Sequence, residues 1–204
     1  MLINGSKCRL ATLAIAAVAV AACSKKENYG TDTTAASSTA STDTSAMAAA
    51  APATSSNWTD ENIFALLDEA NMADSAAGAV AATKGTASAV RDFGKRMMRD
   101  HHQLRAQGEA LAKKLKITPA PPSDDPAMPA AQKHLDTINS TAKGKDFDKA
   151  YIDGEVEIHK AVLDIATKAA AQTQNTQLKN LIQKAVPVIQ GHLDKVEAIQ
   201  KSLK

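Results

Sequence analysis

The apolar residues that follow residue 57 recur three and four positions apart, and no segment there alternates apolar with polar residues. Such spacing matches the 3.6-residue period of a helix, whereas a half-buried strand would alternate. The pattern therefore predicts an all-α domain. It predicts four long helices, with a short extra helix between the second and the third.

The helix boundaries are marked by capping and breaking residues. The first helix is predicted to begin near Thr59, a suitable N-cap. Gly85 marks the next turn, with Thr86 as the cap of a second helix that runs to about Lys116. The proline-rich segment 118–126 cannot be helical and is predicted to be a long connection.

The second half of the domain begins with the short helix. Its residues Met128, Ala131, Leu135 and Ile138 are predicted to face inward and His134 outward. Gly144 ends this helix, Asp146 is expected to cap the third long helix, and the fourth runs from about Thr176 to Leu203.

Titratable side chains interrupt the apolar stripe of every long helix. Burying such groups costs free energy unless they are paired, hydrogen-bonded or bound to a metal. In an up-down-up-down bundle their levels would coincide, which predicts a shared polar centre. The candidate metal ligands are Asp74, His101, Glu155, His159 and His192, with Asp100 supporting them from outside the ligand set.

Two interpretations of these inward residues remain open. They are ligands of a divalent metal ion, or they form a metal-free network in which the acids accept protons from the histidines and fix the register of the helices. A lone histidine on an apolar face is usually a satisfied core residue, so the argument depends on the same feature recurring in four helices.

The first 57 residues differ in composition from the rest. Residues 1–22 carry Lys7 and Arg9 before a short apolar run, which is typical of a secretory signal. The segment ending at Cys23 resembles a bacterial lipobox, so we expect Cys23 to be lipidated. The alternatives are a plain anchor helix, or an ordinary signal after which Cys23 is a bystander thiol. Residues 23–57 are rich in Ala, Ser and Thr and predict a disordered linker, which leaves 58–204 for the bundle.

These segments predict a lipid-anchored protein of the bacterial cell envelope, bound to the membrane only through Cys23. Serine rather than aspartate follows Cys23, which by resemblance to enterobacterial sorting favours the outer membrane, with the domain facing the periplasm. The formal charge of the whole chain is +2. No basic patch suggests a nucleic-acid partner, and there is no phosphate loop, Cys-x-x-Cys pair or serine elbow.

Three motifs, at 90–102, 147–159 and 187–192, resemble the ferritin-like family called domain of unknown function 4142, whose members are often labelled outer-membrane proteins. The resemblance covers about residues 58–203 and implies a four-helix bundle with a short extra helix. By that likeness His101, Glu155, His159 and His192 match recurring motif positions, and Asp74 stands where the family often has a glutamate.

The chain departs from the di-iron ferritins, which use two Glu-x-x-His pairs. Met98 stands in place of the first acid, and Glu155 and His159 are four residues apart. A histidine-rich site for zinc or a similar divalent ion fits these ligand types better than ferroxidase chemistry. The leading hypothesis is a non-enzymatic metal-binding envelope lipoprotein. The alternatives are a metal-dependent oxidoreductase acting on a small oxidant, and a metal-free structural or partner-binding domain.

Overall fold

The computed structural model describes residues 57–203, and the chain in that range is helical without strands. The predicted signal, Cys23 and nearly all of the linker lie outside the described residues, so these predictions and the 58–204 boundary remain predictions. No helix between residues 57 and 203 combines the length and apolarity needed to cross a bilayer. The five helices of this range are α1 (Asp60–Lys84), α2 (Ser88–Leu115), α3 (Met128–Ser140), α4 (Lys145–Gln172) and α5 (Thr176–Ser202).

The four long helices form a ferritin-like bundle in the order up, down, down, up. The turns 85–87 and 173–175 are three residues long, so α1 and α2 are antiparallel, as are α4 and α5. The start of α1 meets the end of α4, where the Trp58 amide donates to Gln172 Oε1 at 2.9 Å. The long connection that contains α3 therefore returns along the bundle, as in ferritin-like folds. The up-down-up-down order was wrong.

Side chains close the N-termini of two long helices in different ways. Thr59 caps α1 as predicted, in a reciprocal capping box with Asn62. The start of α2 is capped from α4, because the buried Asp148 carboxylate accepts the backbone amides of Thr86 and Ala87 at 2.7 Å each. Thr86 as a side-chain cap was therefore wrong.

At the start of α4 the predicted cap was also wrong. Gly144 occupies the N-cap position with φ 156, a conformation that favours glycine. Asp146 is the second residue of the helix and lies in the first turn, where its negative charge interacts favourably with the positive end of the helix dipole.

The helices α1 and α2 approach each other closely at two glycines. A Cβ added to Gly94 would lie 2.6 Å from the carbonyl oxygen of Gly78, and one added to Gly78 would lie 2.7 Å from the carbonyl oxygen of Gly94. Only the absence of both side chains allows this backbone contact. It brings the inward faces of α1 and α2 together one turn from Asp74 and about two turns from His101.

The interior contains two apolar clusters with a polar layer between them. The first cluster, at the end where α2 and α4 begin, includes Phe93, Met97 and Tyr151. The second, at the opposite end, includes Trp58 and Leu178. On α1, α2 and α5 the predicted polar residues lie between the positions that enter these two clusters. On α4 His159 lies between Val156 and Ala166, and Glu155 adjoins Val156. The four long helices thus bring their titratable side chains to one level of the bundle.

Candidate metal centre

Three imidazoles from three helices meet in the polar layer. His101 of α2, His159 of α4 and His192 of α5 are all at most 2% exposed. Their ring centroids are 5.1 to 5.8 Å apart. One nitrogen from each ring lies within 4.8 Å of the others, a separation that a bound cation can bridge. The structure thus brings together the three histidines predicted from their inward phase.

The outer nitrogens of His101 and His159 are held by acceptors. His101 Nδ1 lies 2.9 Å from Asn71 Oδ1, and Asn71 donates its amide to the Leu67 carbonyl, so its oxygen must face the imidazole. His159 Nδ1 lies 2.9 Å from the Glu155 backbone carbonyl. Since both partners only accept, each Nδ1 carries a hydrogen, and in the neutral ring Nε2 presents a lone pair.

His192 is held in the same way through its other nitrogen. Its Nε2 donates to Asp100 Oδ2 at 3.0 Å, which leaves Nδ1 as a lone pair. Asp100 is itself fixed by Arg96 at 3.2 Å and Arg99 at 3.0 Å. Burial raises the pKa of Asp100, but hydrogen bonds from His192 and Arg96 and the charge of Arg99 outweigh it, so the net shift is downward. An ionised Asp100 therefore orients the His192 ring.

Two carboxylates complete the polar layer. Asp74 of α1 is 1% exposed and Glu155 of α4 is 0% exposed. One oxygen from each lies within 4.8 Å of the other and of a His159 nitrogen. Within residues 57–203 no donor forms a hydrogen bond with any of the four carboxylate oxygens. The closest imidazole nitrogens are His101 Nδ1, 3.5 Å from Asp74, and His134 Nε2, 3.4 Å from Glu155.

The inner nitrogens are equally without partners. In the described part of the chain no hydrogen bond reaches His101 Nε2, His159 Nε2 or His192 Nδ1. Burial lowers the pKa of His101 and lowers the pKa of His192 to about 4, so both imidazoles are neutral near pH 7. The centre therefore concentrates imidazole lone pairs and carboxylates, and a bound cation would accept the lone pairs and balance the negative charge.

His134 was wrongly predicted to lie on the outer side of α3. It is 7% exposed, and its ring stacks on Tyr151 with centroids 5.9 Å apart. Gly154 makes room for the ring, because a Cβ there would lie 2.0 Å from His134 Nδ1. Burial, then the charge of Glu155, raises the pKa of Tyr151 well above its ordinary value, so its hydroxyl stays protonated.

The structure gathers all the residues predicted from the sequence and adds three that were missed. Asp74, His101, Glu155, His159 and His192 share the polar layer, and Asp100 supports His192 from outside it. The missed residues are Asn71, His134 and Tyr151. His134 could have been found from its spacing, because it follows Ala131 by three residues and precedes Ile138 by four.

Two comparisons with known proteins give a match, one to a family and one to a solved structure. The family model described as "Domain of unknown function (DUF4142)" matches residues 43–199. The crystal structure of a DUF305 fragment from Deinococcus radiodurans is similar, with a TM-score of 0.60 and 12% sequence identity, over 71% of this chain and 97% of that chain. None of the curated proteins matches this chain. The structural likeness supports a ferritin-like helical domain and says nothing of activity.

Proposed function

The chain belongs to the DUF4142 family, a domain of unknown function, and we propose that it binds one divalent transition-metal ion inside its bundle. The ligands in this proposal are His101, His159 and His192, and the carboxylates of Asp74 and Glu155 form an adjoining group that shares His159. Zinc or a similar ion suits a set of three imidazoles with adjoining carboxylates.

The observation that carries the proposal is the state of the inner nitrogens. Each of the three imidazoles donates a hydrogen from its outer nitrogen, to Asn71, to a backbone carbonyl or to Asp100. Metal-bound histidines are held in this way, because the outer hydrogen bond fixes the tautomer and aims the lone pair. A tetrahedral ion with bonds of about 2.0 Å requires ligand atoms about 3.3 Å apart, so nitrogens that lie within 4.8 Å of one another would have to move closer by side-chain rotation to close the site.

Charge balance supports the same conclusion. If Asp74 and Glu155 are ionised, two negative charges lie in a buried layer where His101 and His192 are neutral. A divalent cation neutralises both charges and accepts the lone pairs as well. A metal-free network would instead need protons between the groups, and burial opposes protonation of His101 and His192.

Metal content tests the proposal. Chain purified without an affinity tag and equilibrated with Zn²⁺ should retain about one ion per chain by mass spectrometry, because three aligned lone pairs act together. The His159→Ala, His192→Ala double variant should retain almost none. His102→Ala is the matched control, since His102 adjoins His101 but is exposed. Equal zinc in the double variant and the wild type would overturn the ligand assignment.

Asp100→Asn probes the support of His192 without removing a ligand. An amide is a weaker acceptor for the imidazole hydrogen than a carboxylate, so zinc affinity should fall by about 10 to 100-fold. Competition with a chelator of known affinity measures the change. An unchanged affinity would contradict the role of Asp100 in orienting His192 towards the ion.

We further propose that the protein is a bacterial envelope lipoprotein anchored through Cys23, with its domain on the periplasmic side of the outer membrane. The support is the signal-like composition of residues 1–22 and the lipobox-like segment that ends at Cys23. Wild-type protein should incorporate labelled fatty acid and fractionate with outer membranes, whereas Cys23→Ser should do neither. Equal labelling of the variant would refute lipidation at this cysteine.

A further inference from the structure

A cavity of about 130 Å³ leads from the surface to the polar layer between α1, α2, α4 and α5. Most of its wall is apolar, with Leu67, Leu104 and Ile189 among the lining side chains. Asp74 and His101 also line it. They are far more buried than the charged lining residues Asp68, Arg105 and Glu109, so they mark the end of the cavity farther from solvent, which we call its inner end.

The inner end offers acceptors. Neither oxygen of Asp74 receives a hydrogen bond from any residue between 57 and 203, and the same holds for Nε2 of His101. Both side chains are at most 2% exposed, so the cavity leaves them little contact with water. An occupant that donates a hydrogen bond at this end would remove part of the cost of burying Asp74.

The mouth is polar and carries more negative than positive charge. Arg105 contacts Asp68 at 2.7 Å and Glu109 at 3.1 Å, and these three side chains are the most exposed charged groups among the lining residues. One guanidinium faces two carboxylates there. An anionic ligand would therefore meet an unfavourable charge at the mouth and again at Asp74.

We propose that the cavity binds an uncharged apolar molecule the size of one aromatic ring, with a single hydroxyl that donates to Asp74. An engineered apolar cavity of about 150 Å³ holds benzene, so a volume of about 130 Å³ suits one ring. The apolar walls favour the ring and the acceptors at the inner end select the hydroxyl. This site goes beyond metal binding and does not require a bound ion.

The test compares three ligands of similar size on the full chain treated with a chelator. Calorimetry should show that phenol binds at least about tenfold more tightly than toluene, since a hydrogen bond to a carboxylate contributes about that factor. Benzoate should bind more weakly than toluene. Equal affinities for phenol and toluene would overturn the role of Asp74, and undetectable phenol binding would overturn the site.

Two variants locate the binding. Gly108 lines the cavity, and a Cβ added to it has no atom within 4 Å among the described residues, so Gly108→Leu can fill the space without a clash. It should abolish phenol binding, whereas Ala106→Leu, exposed on the same helix, should preserve it. Phenol binding that survives in Gly108→Leu would place the ligand elsewhere. Because no metal is present in these assays, a failure here leaves the zinc result intact.

Discussion

Replacing Glu155 by Gln should stabilise the metal-free protein and weaken its response to metal. Glu155 is 0% exposed, and no donor in residues 57–203 forms a hydrogen bond with its carboxylate. Its two oxygens lie 3.4 Å from His134 Nε2 and 3.5 Å from His159 Nδ1. The substitution removes a buried charge while it keeps the shape and volume of the side chain.

The magnitude follows from the cost of a buried charge without a full set of partners. Neutralising it should contribute about 1 to 3 kcal/mol to the stability of the metal-free protein. For a bundle of about 150 residues this raises Tm by about 3 to 10 °C. Zinc at 100 times its Kd should add about 2.7 kcal/mol to the wild type. Zinc should add less to the variant, because one negative charge that balances the ion is gone.

The assay is thermal unfolding by circular dichroism, with chelator and then with zinc. The fluorescence of Trp58, the only tryptophan, gives a second probe in the apolar cluster away from the site. Glu157→Gln is the control, because Glu157 lies on the exposed side of the same helix. A metal-free Glu155→Gln protein that melts at or below the wild-type temperature would refute the idea that Glu155 lacks compensation without a cation.

Two further predictions concern regions outside the site. Burial, then the Asp125 carboxylate, raises the pKa of Glu69 from 4.5 to about 7. The folded state thus holds the Glu69 proton more tightly than the unfolded state does. The stability gained in this way is fully present below pH 4.5 and is lost as the pH rises through 7. This stability amounts to about 1 kcal/mol after allowance for solvent screening. Tm of the Glu69→Gln variant should therefore change less between pH 4.5 and 7 than Tm of the wild type. An equal change of Tm with pH in both proteins would contradict the raised pKa. Gly94→Ala should destabilise the fold by about 1 to 3 kcal/mol in urea unfolding, through a clash with Gly78, whereas Gly108→Ala should stabilise it by up to about 1 kcal/mol. Equal effects would contradict the close helix contact.

The sequence predicted the elements well because helical periodicity is a local property. The apolar spacing placed all five helices close to their observed bounds, and the cap at Thr59 was recognisable from its own neighbours. The cap of α2 was not, because Asp148 is about 60 residues away in sequence. The direction of α4 was missed for a similar reason, since the composition of a long connection does not state where it leads.

The sequence predicted most of the titratable residues of the candidate site, because burying such residues costs free energy. Acids and imidazoles inside apolar stripes stand out because burial is costly, and this identified Asp74 and His192. His134 was missed because the stripe of Met128, Ala131, Leu135 and Ile138 was taken as the whole inward face, although His134 shares the buried side of Ala131 and Ile138. The tautomers of the imidazoles depend on acceptors from other turns and other helices, which no single helical pattern reveals.

The position of the polar layer explains how the fold holds so many acceptors together. Each long helix is anchored by apolar contacts on both sides of the layer, so a helix cannot rotate its acid or imidazole towards water without exposing residues of both clusters. The apolar clusters thus offset the cost of the layer in the metal-free protein. Side chains held in this way lose little freedom when an ion binds, so more of the coordination energy appears as affinity. The same restraint keeps Asp74 and His101 at the inner end of the cavity, where an occupant meets acceptors already in place.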